Sequence, residues 1–239
     1  MKLDVLFFAA HPDDAELCCG GTIAKLSKKG RKTGIIDLTR GELGTRGSAD
    51  LRKKEANAAG KLLGITIREN LEIEDGNIEN TAENRLKAIS VIRYYKPAII
   101  FMPFENDRHP DHTNTNKLIK ESVFFSGLEK ITTRRNGIIQ KAYRPKKNIY
   151  YMQTYPFEPS IIIDISDEYI LKKKAVQCYS SQFYNPKRKG PETFISNKNF
   201  SDFTEARAVF YGFQAGVKYG EPFFIEQPVK LNVNNLFDL

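Results

Sequence analysis

Apolar residues fall in short continuous runs that alternate with stretches of helical period, and this alternation gives the first outline of the fold. Leu3 to Ala9 is near-continuously apolar, as a strand buried on both faces should be. A helix is expected from about Gly21 to Lys29, with Ile23, Ala24 and Leu26 facing inward and Gly30 closing it. The pattern then repeats. A strand over Thr33 to Thr39 leads through a Gly-rich loop, Gly41 to Ser48, into a helix from Leu51 to Leu63 with Asp50 as its N-cap and Gly64 as its stop. Ile65 to Leu71 reads as a short strand, Thr81 to Tyr95 as a helix, Pro97 to Pro103 as a fourth strand, and Thr113 to Phe125 as the next helix. Such a series predicts an α/β fold, a mostly parallel sheet with helices on both faces. The last hundred or so residues are less regular. Asn148 to Gln153 and Ser160 to Ile165 are strand-like, Ser166 suits an N-cap for a helix carrying Leu171, Ala175, Cys178 and Tyr179, and Tyr184 to Asn199 reads as a polar loop. No linker divides the chain and no repeat is present, so residues 1–239 are expected to form one domain with a C-terminal extension.

In open α/β sheets the ligand site lies outside the carboxyl ends of the strands. Two unusual clusters fall there: His11-Pro12-Asp13-Asp14 after the first strand, and Arg108-His109-Pro110-Asp111-His112 after the fourth. The usual doubly wound order makes those strands neighbours, so the two clusters should meet. All three histidines of the chain, His11, His109 and His112, sit in them. Two histidines (His11, His112) and one carboxylate (Asp14), with a position left for water, are the donor set of a catalytic zinc, since a structural zinc closes its shell with four protein ligands. Asp13 should diverge from Asp14 at a tight turn, leaving its carboxylate free as a general base. His109, with Asp111 as its expected partner, would be held protonated to stabilise an oxyanion or serve a leaving group. Either cluster alone reads as a turn or helix cap; together they point to a metal site. Arg52 and Arg46 each carry two readings, a surface arginine or an anion clamp for substrate. Cys18 and Cys19 read as small core residues under the first helix.

Composition narrows the class. An apolar fraction of 41% over 239 residues excludes disorder. No run approaches the roughly 18–20 apolar residues of a membrane helix, and Asp4 together with His-Pro-Asp-Asp spoils the likeness of the N-terminus to a secretory signal. Three cysteines without a C-x-x-C pair form no disulfide framework or thiolate site, and a reducing cytoplasm is the expected location. The net charge of +8 is concentrated between Glu129 and Lys147. No nucleic-acid module accompanies it, so a small anionic substrate is expected rather than nucleic acid.

These motifs resemble the LmbE-like (PIG-L-like) zinc-dependent N-deacetylases. The resemblance rests on Ala10-His11-Pro12-Asp13-Asp14 with Glu16 and Gly20-Gly21-Thr22, on Thr39-Arg40-Gly41-Glu42 with Gly44, on Arg52 with Glu55-Ala56, and on His109-Pro110-Asp111-His112. Within the family it is most similar to the deacetylases of bacillithiol biosynthesis, which act on N-acetylglucosaminyl malate; Tyr151-Met152-Gln153 and Ser180-Ser181-Gln182-Phe183 carry that narrower match. The resemblance implies a Rossmann-like sheet, one Zn2+ held by His11, Asp14 and His112 (Fe2+ or another divalent ion being the alternative), Asp13 as base, His109 tuned by Asp111, Arg52 in substrate binding, and a homo-oligomer, often a hexamer. Two rivals stand beside it. The same donor set serves non-haem iron oxygenases, which are typically all-β, and a non-catalytic sugar- or metal-binding protein would have no need of Asp13 and His109 beside the ligands.

Overall fold

In the computed structural model, which describes residues 1–187 and 190–230, the first apolar run forms β1 (Val5–Ala9), buried at every residue. β2 (Thr33–Asp37), β3 (Ile67–Asn70), β4 (Ile99–Pro103) and β7 (Lys147–Tyr151) join it in a parallel sheet, in which β1 lies between β2 and β4. β9 (Gly220–Phe224) pairs antiparallel with β7, and β8 (Ile161–Asp164) antiparallel with β9, giving the order β3-β2-β1-β4-β7-β9-β8. A separate hairpin, β5 (Arg134–Arg135) and β6 (Ile138–Ile139), stands apart from the sheet. The fold is the mostly parallel, Rossmann-like α/β sheet that the alternation predicts.

Side chains of successive strand residues point to opposite faces, and β1 shows how this splits the core. Val5, Phe7 and Ala9 join a cluster with α1 (Asp14–Lys28), α2 (Ala49–Leu63) and α5 (Tyr169–Cys178). Leu6, Phe8 and Ala10 face α3 (Ala82–Tyr95) and α4 (Pro110–Ser126) instead. Cys18 and Cys19 are buried free thiols in the first cluster. Among the described residues no helix is long and apolar enough to cross a membrane.

Element starts differ from expectation where polar residues are buried. α1 begins at Asp14 rather than Gly21, and α4 at Pro110 rather than Thr113, because their first turns bury Asp14, Glu16, Asp111 and His112, which periodicity counts as exterior. α2 is capped by Ser48, whose Oγ accepts from Leu51 N–H at 3.3 Å, and not by Asp50. α5 follows Glu168 rather than Ser166. The expected loop Tyr184 to Asn199, two residues of which (188 and 189) lie outside the described set, runs into an unforeseen helix, α6 (Lys198–Gln214). α6 buries Phe200, Ala208 and Tyr211 while exposing Phe203, Val209, Phe210 and Phe213 alongside polar residues such as Ser201 and Asp202, so its apolar positions do not gather on one face to mark its period. β9 was hidden by Gly220 and Pro222, residues that argue against a strand.

Two buried ionic clamps fix α1. Glu221 on β9, 1% exposed, accepts from the backbone N–H groups of Gly21 (2.9 Å) and Thr22 (2.8 Å) and from Lys172 Nζ on α5 (2.7 Å). Beneath the carboxyl end of β2, Arg68 donates twice to Asp37 (2.6 and 2.8 Å) and pairs with Glu16, which also accepts from Tyr179 Oη at 2.9 Å. Gly21 is required where it stands, since a Cβ there would lie 2.6 Å from Ile165 Cβ. Removing one partner of a buried pair strands the other charge, so Glu221→Ala should destabilise the protein by about 3–5 kcal/mol in urea unfolding.

Candidate functional site

The turn after β1 is shaped by one unusual residue. Asp13 has φ 124°, a left-handed conformation rarely adopted by a side-chain-bearing residue, and strain of this kind is held only where the surroundings enforce it. It sends the two adjacent carboxylates in different directions. Asp14 Oδ2 accepts from His11 N–H at 2.9 Å and lies 3.5 Å from His11 Nδ1, while its Oδ1 lies 3.3 Å from His112 Nε2. Asp13 instead takes Arg52 Nη2 at 2.6 Å. β1 and β4 are neighbours, so the loop before α4 delivers His112 to the same spot.

Donor atoms of His11, Asp14 and His112 all lie within 4.8 Å of one another, and all three residues are buried. The far side of each imidazole is held by carboxylates: His11 Nε2 by Asp75 Oδ1 (3.0 Å) and Asp111 Oδ2 (3.2 Å), His112 Nδ1 by Asp107 Oδ2 (2.5 Å). Asp107 is itself oriented by the N–H groups of Thr154 (2.8 Å) and Tyr155 (3.1 Å). Carboxylates behind imidazoles fix ring orientation and raise ligand basicity, so the donor set fits a divalent cation. The charges agree. Burial disfavours protonation of His11, yet Asp111, Asp14 and Asp75 outweigh it and raise its pKa well above the usual value. Burial likewise opposes His112, which Asp14 and Asp107 raise to about 8. Asp75 and Asp107 are held down to about 2 against burial, chiefly by His11 and His112 respectively. A surplus of carboxylates over two imidazoles is what a divalent ion balances. A second trio, His11, His109 and Asp111, is also close, but His109 Nδ1 is engaged in capping α4.

Asp13 is 5% exposed, and burial raises its pKa to about 6 although Arg52 pulls the other way. Asp111 departs from its expected role: its carboxylate serves His11 and the N–H of Gly76 (2.9 Å), and only its backbone N–H reaches His109 Nδ1, at 3.2 Å. His109 therefore lacks the carboxylate that would keep it protonated. Burial and the neighbouring His11 and His112 lower its pKa instead, and its place at the N-cap of α4 disfavours positive charge further. With Nδ1 accepting, the neutral ring carries its proton on Nε2.

The arginines also differ from expectation. Arg52, 6% exposed, gives its guanidinium to Asp13 and to the Gly41 carbonyl (3.3 Å), so its charge is committed to the chain itself. Arg46 lies outside the pocket lining, its guanidinium near Gly190. Arg52 does line the pocket, beside Arg108, which is the exposed arginine of the lining and is stacked over Phe194 at 4.1 Å. Asp75 and Asp107 were equally unforeseen. Asp107 adjoins the second cluster and was within reach of the spacing argument; Asp75 sits in a loop with no motif around it. The pocket has a volume of about 380 Å3 and reaches from Leu43 and Gly76 to Gln182 and Phe200.

The family model for PIG-L, described as GlcNAc-PI de-N-acetylase, matches residues 6–123, a span that includes His11, Asp14 and His112. The diacetylchitobiose deacetylase of Thermococcus kodakarensis is 30% identical over 227 residues, covering 91% of this chain and 80% of that protein. Among solved structures, the conserved protein TT1542 of Thermus thermophilus superposes with a TM-score of 0.86 at 36% identity, over 97% of this chain and 98% of the other. The N,N'-diacetylchitobiose deacetylase of Pyrococcus horikoshii gives 0.78 at 30% identity, over 93% and 83% respectively.

The carboxylate behind His112 gives a direct test of the cation site. Asp107→Ala should weaken divalent-metal binding by roughly 10- to 100-fold in a calorimetric titration, whereas Asp14→Ala should abolish it; unchanged affinity in Asp107→Ala would separate Asp107 from the site.

Proposed function

We propose that this chain, which belongs to the PIG-L (LmbE-like) family of metal-dependent N-deacetylases and is itself a deacetylase cleaving an amide bond, is a zinc enzyme acting on an N-acetylglucosaminide. N-Acetylglucosaminyl malate is the substrate we favour, hydrolysed to glucosaminyl malate and acetate as in bacillithiol biosynthesis. The observation that carries the reading is the split of two adjacent carboxylates: Asp14 faces two imidazoles, while Asp13, with a pKa of about 6, stands beside them on Arg52.

His11, Asp14 and His112 would hold the zinc, which when bound would supply Lewis acidity to the amide carbonyl and to a water. Asp13 takes a proton from the attacking water, a task suited to a carboxyl titrating near neutrality. Arg52 keeps that carboxylate oriented and ionised. His109, neutral and protonated on Nε2, donates a hydrogen bond to the developing oxyanion, and a neutral imidazole with a depressed pKa is an effective electrophile. As the C–N bond breaks, Asp13 returns its proton to the departing sugar amine, leaving acetate. Arg108 is the cation placed to meet an anionic aglycone, since arginine pairs with carboxylates through two parallel hydrogen bonds. A homo-oligomer, a hexamer in the first instance, belongs to the same proposal; the apolar outer face of α6, with Phe213 83% exposed, supports association.

Three outcomes test this reading. Asp13→Asn should keep zinc, by elemental analysis, and lose about 10²- to 10⁴-fold in turnover. Because Asp13 works ionised, kcat/KM should fall as pH drops through a limb no higher than about 6, and Arg52→Gln, which removes the charge lowering that pKa, should move the limb to higher pH. In a mass-spectrometric assay over N-acetylglucosaminyl malate, diacetylchitobiose and free N-acetylglucosamine, the malate glycoside should be turned over best, and Arg108→Gln should penalise it selectively; equal rates on all three would remove malate from the proposal.

A further inference from the structure

The pocket has a polar side and an apolar one. Thr45, Asp75, Arg108, Thr154 and Gln182 offer partners for hydroxyl groups, whereas Leu17, Phe183, Ile195 and Phe200 form a continuous apolar wall. Leu17 lies one helical turn from the catalytic corner, its N–H donating to the Asp13 carbonyl at 2.9 Å. The same four wall residues also line a second cavity of about 240 Å3, whose far side is built by Tyr169 and Val176 of α5 with Lys172, Lys173 and Gln177, and by Ser201 and Thr204 of α6. The two spaces therefore adjoin at these four apolar side chains.

The centre of this wall is the pair Phe183 and Phe200, each 8% exposed, with near-parallel rings 14° from coplanar and centroids 6.3 Å apart. Both are anchored. The segment carrying Phe183 is tied to α2 by Glu55, which accepts from Ser181 N–H at 2.8 Å and Ser181 Oγ at 2.6 Å. Phe200 N–H donates to the capping Asn197 Oδ1 at 2.8 Å.

We infer that the Phe183–Phe200 partition sets the length of the acyl group this enzyme removes, and that the cavity behind it is a latent subsite for a longer alkyl chain. The inference rests on the glucosaminide reading above. An acyl group whose carbonyl sits among Asp13, Asp14 and His112 finds its apolar neighbour in Leu17 and the wall beyond. A methyl ends against the rings, and a longer chain collides with them. The bond chemistry is unchanged by length: the amide C–N bond breaks, water supplies the second carboxylate oxygen, and the amine leaves with the proton.

The test compares kcat/KM for the N-acetyl, N-propionyl and N-butyryl forms of glucosaminyl malate and of free glucosamine on the zinc-loaded full chain. Wild type should lose roughly tenfold per added methylene. Phe183→Ala should raise the butyryl-to-acetyl ratio at least tenfold, and adding Val176→Phe, which refills the rear cavity, should reverse the gain. An unmoved ratio in a Phe183→Ala protein with normal zinc content and circular dichroism overturns the inference, as does a gain that Val176→Phe leaves intact. If Phe183→Ala does not fold, Phe183→Leu should shift the ratio several-fold in the same direction, and no shift overturns it equally. Wild type inert on every one of these compounds, and on diacetylchitobiose, would instead defeat the glucosaminide reading, and the inference with it; acetyl activity with an unmoved ratio defeats the inference alone.

Discussion

A buried carboxylate needs matching charge, and Asp14 is where this requirement organises the molecule. It is 5% exposed, and burial raises its pKa while His112 and His11 press it well below the usual carboxylate range. Its place in the first turn of α1 is favoured by the helix dipole. The rings that serve it are themselves fixed by Asp75, Asp111 and Asp107, so each partner creates the need for the next. The adjacency of β1 and β4, the strained turn at Asp13 and the loop that ends in His112 all bring one anion within about 3.5 Å of two imidazoles.

Arginine is used in two ways at this site. Arg52 is sunk beside Asp13 and acts on the pKa of one carboxyl; Arg108 stands at the surface of the pocket and is available to solutes. A sequence shows both simply as arginines near strand ends. What separates them is depth, which depends on how α2 packs over the Gly41 loop, and no local pattern records that.

The parallel half of the fold was legible because its strands are two-sided apolar runs and its helices end in glycine or begin at hydroxyl caps, such as Gly64 and Thr81. The meeting of His11 with His112 was legible because the strand order is constrained and histidine is scarce in this chain. Partnerships among acids were not. Asp111 is beside His109 in sequence, yet as the second residue of α4 its side chain projects toward His11, leaving only its backbone N–H to face the neighbour. The C-terminal elements failed for another reason: α6 spreads its apolar residues over buried and exposed positions alike, and β9 carries residues that usually end strands, so tertiary pairing decides both.

Among the described residues β9 is the last strand of the sheet in sequence but sits between β7 and β8, and its Glu221 grips the middle of the first helix. A chain emerging from the ribosome must therefore hold α1, with Asp14 at its head, until residues some two hundred positions later arrive to lock it. Contacts of such sequence separation close late and fold slowly. The helix that carries Asp14 thus gains its lock on the sheet only once Glu221 has been made, so its final seating is decided by a residue some two hundred positions away rather than by its own neighbours.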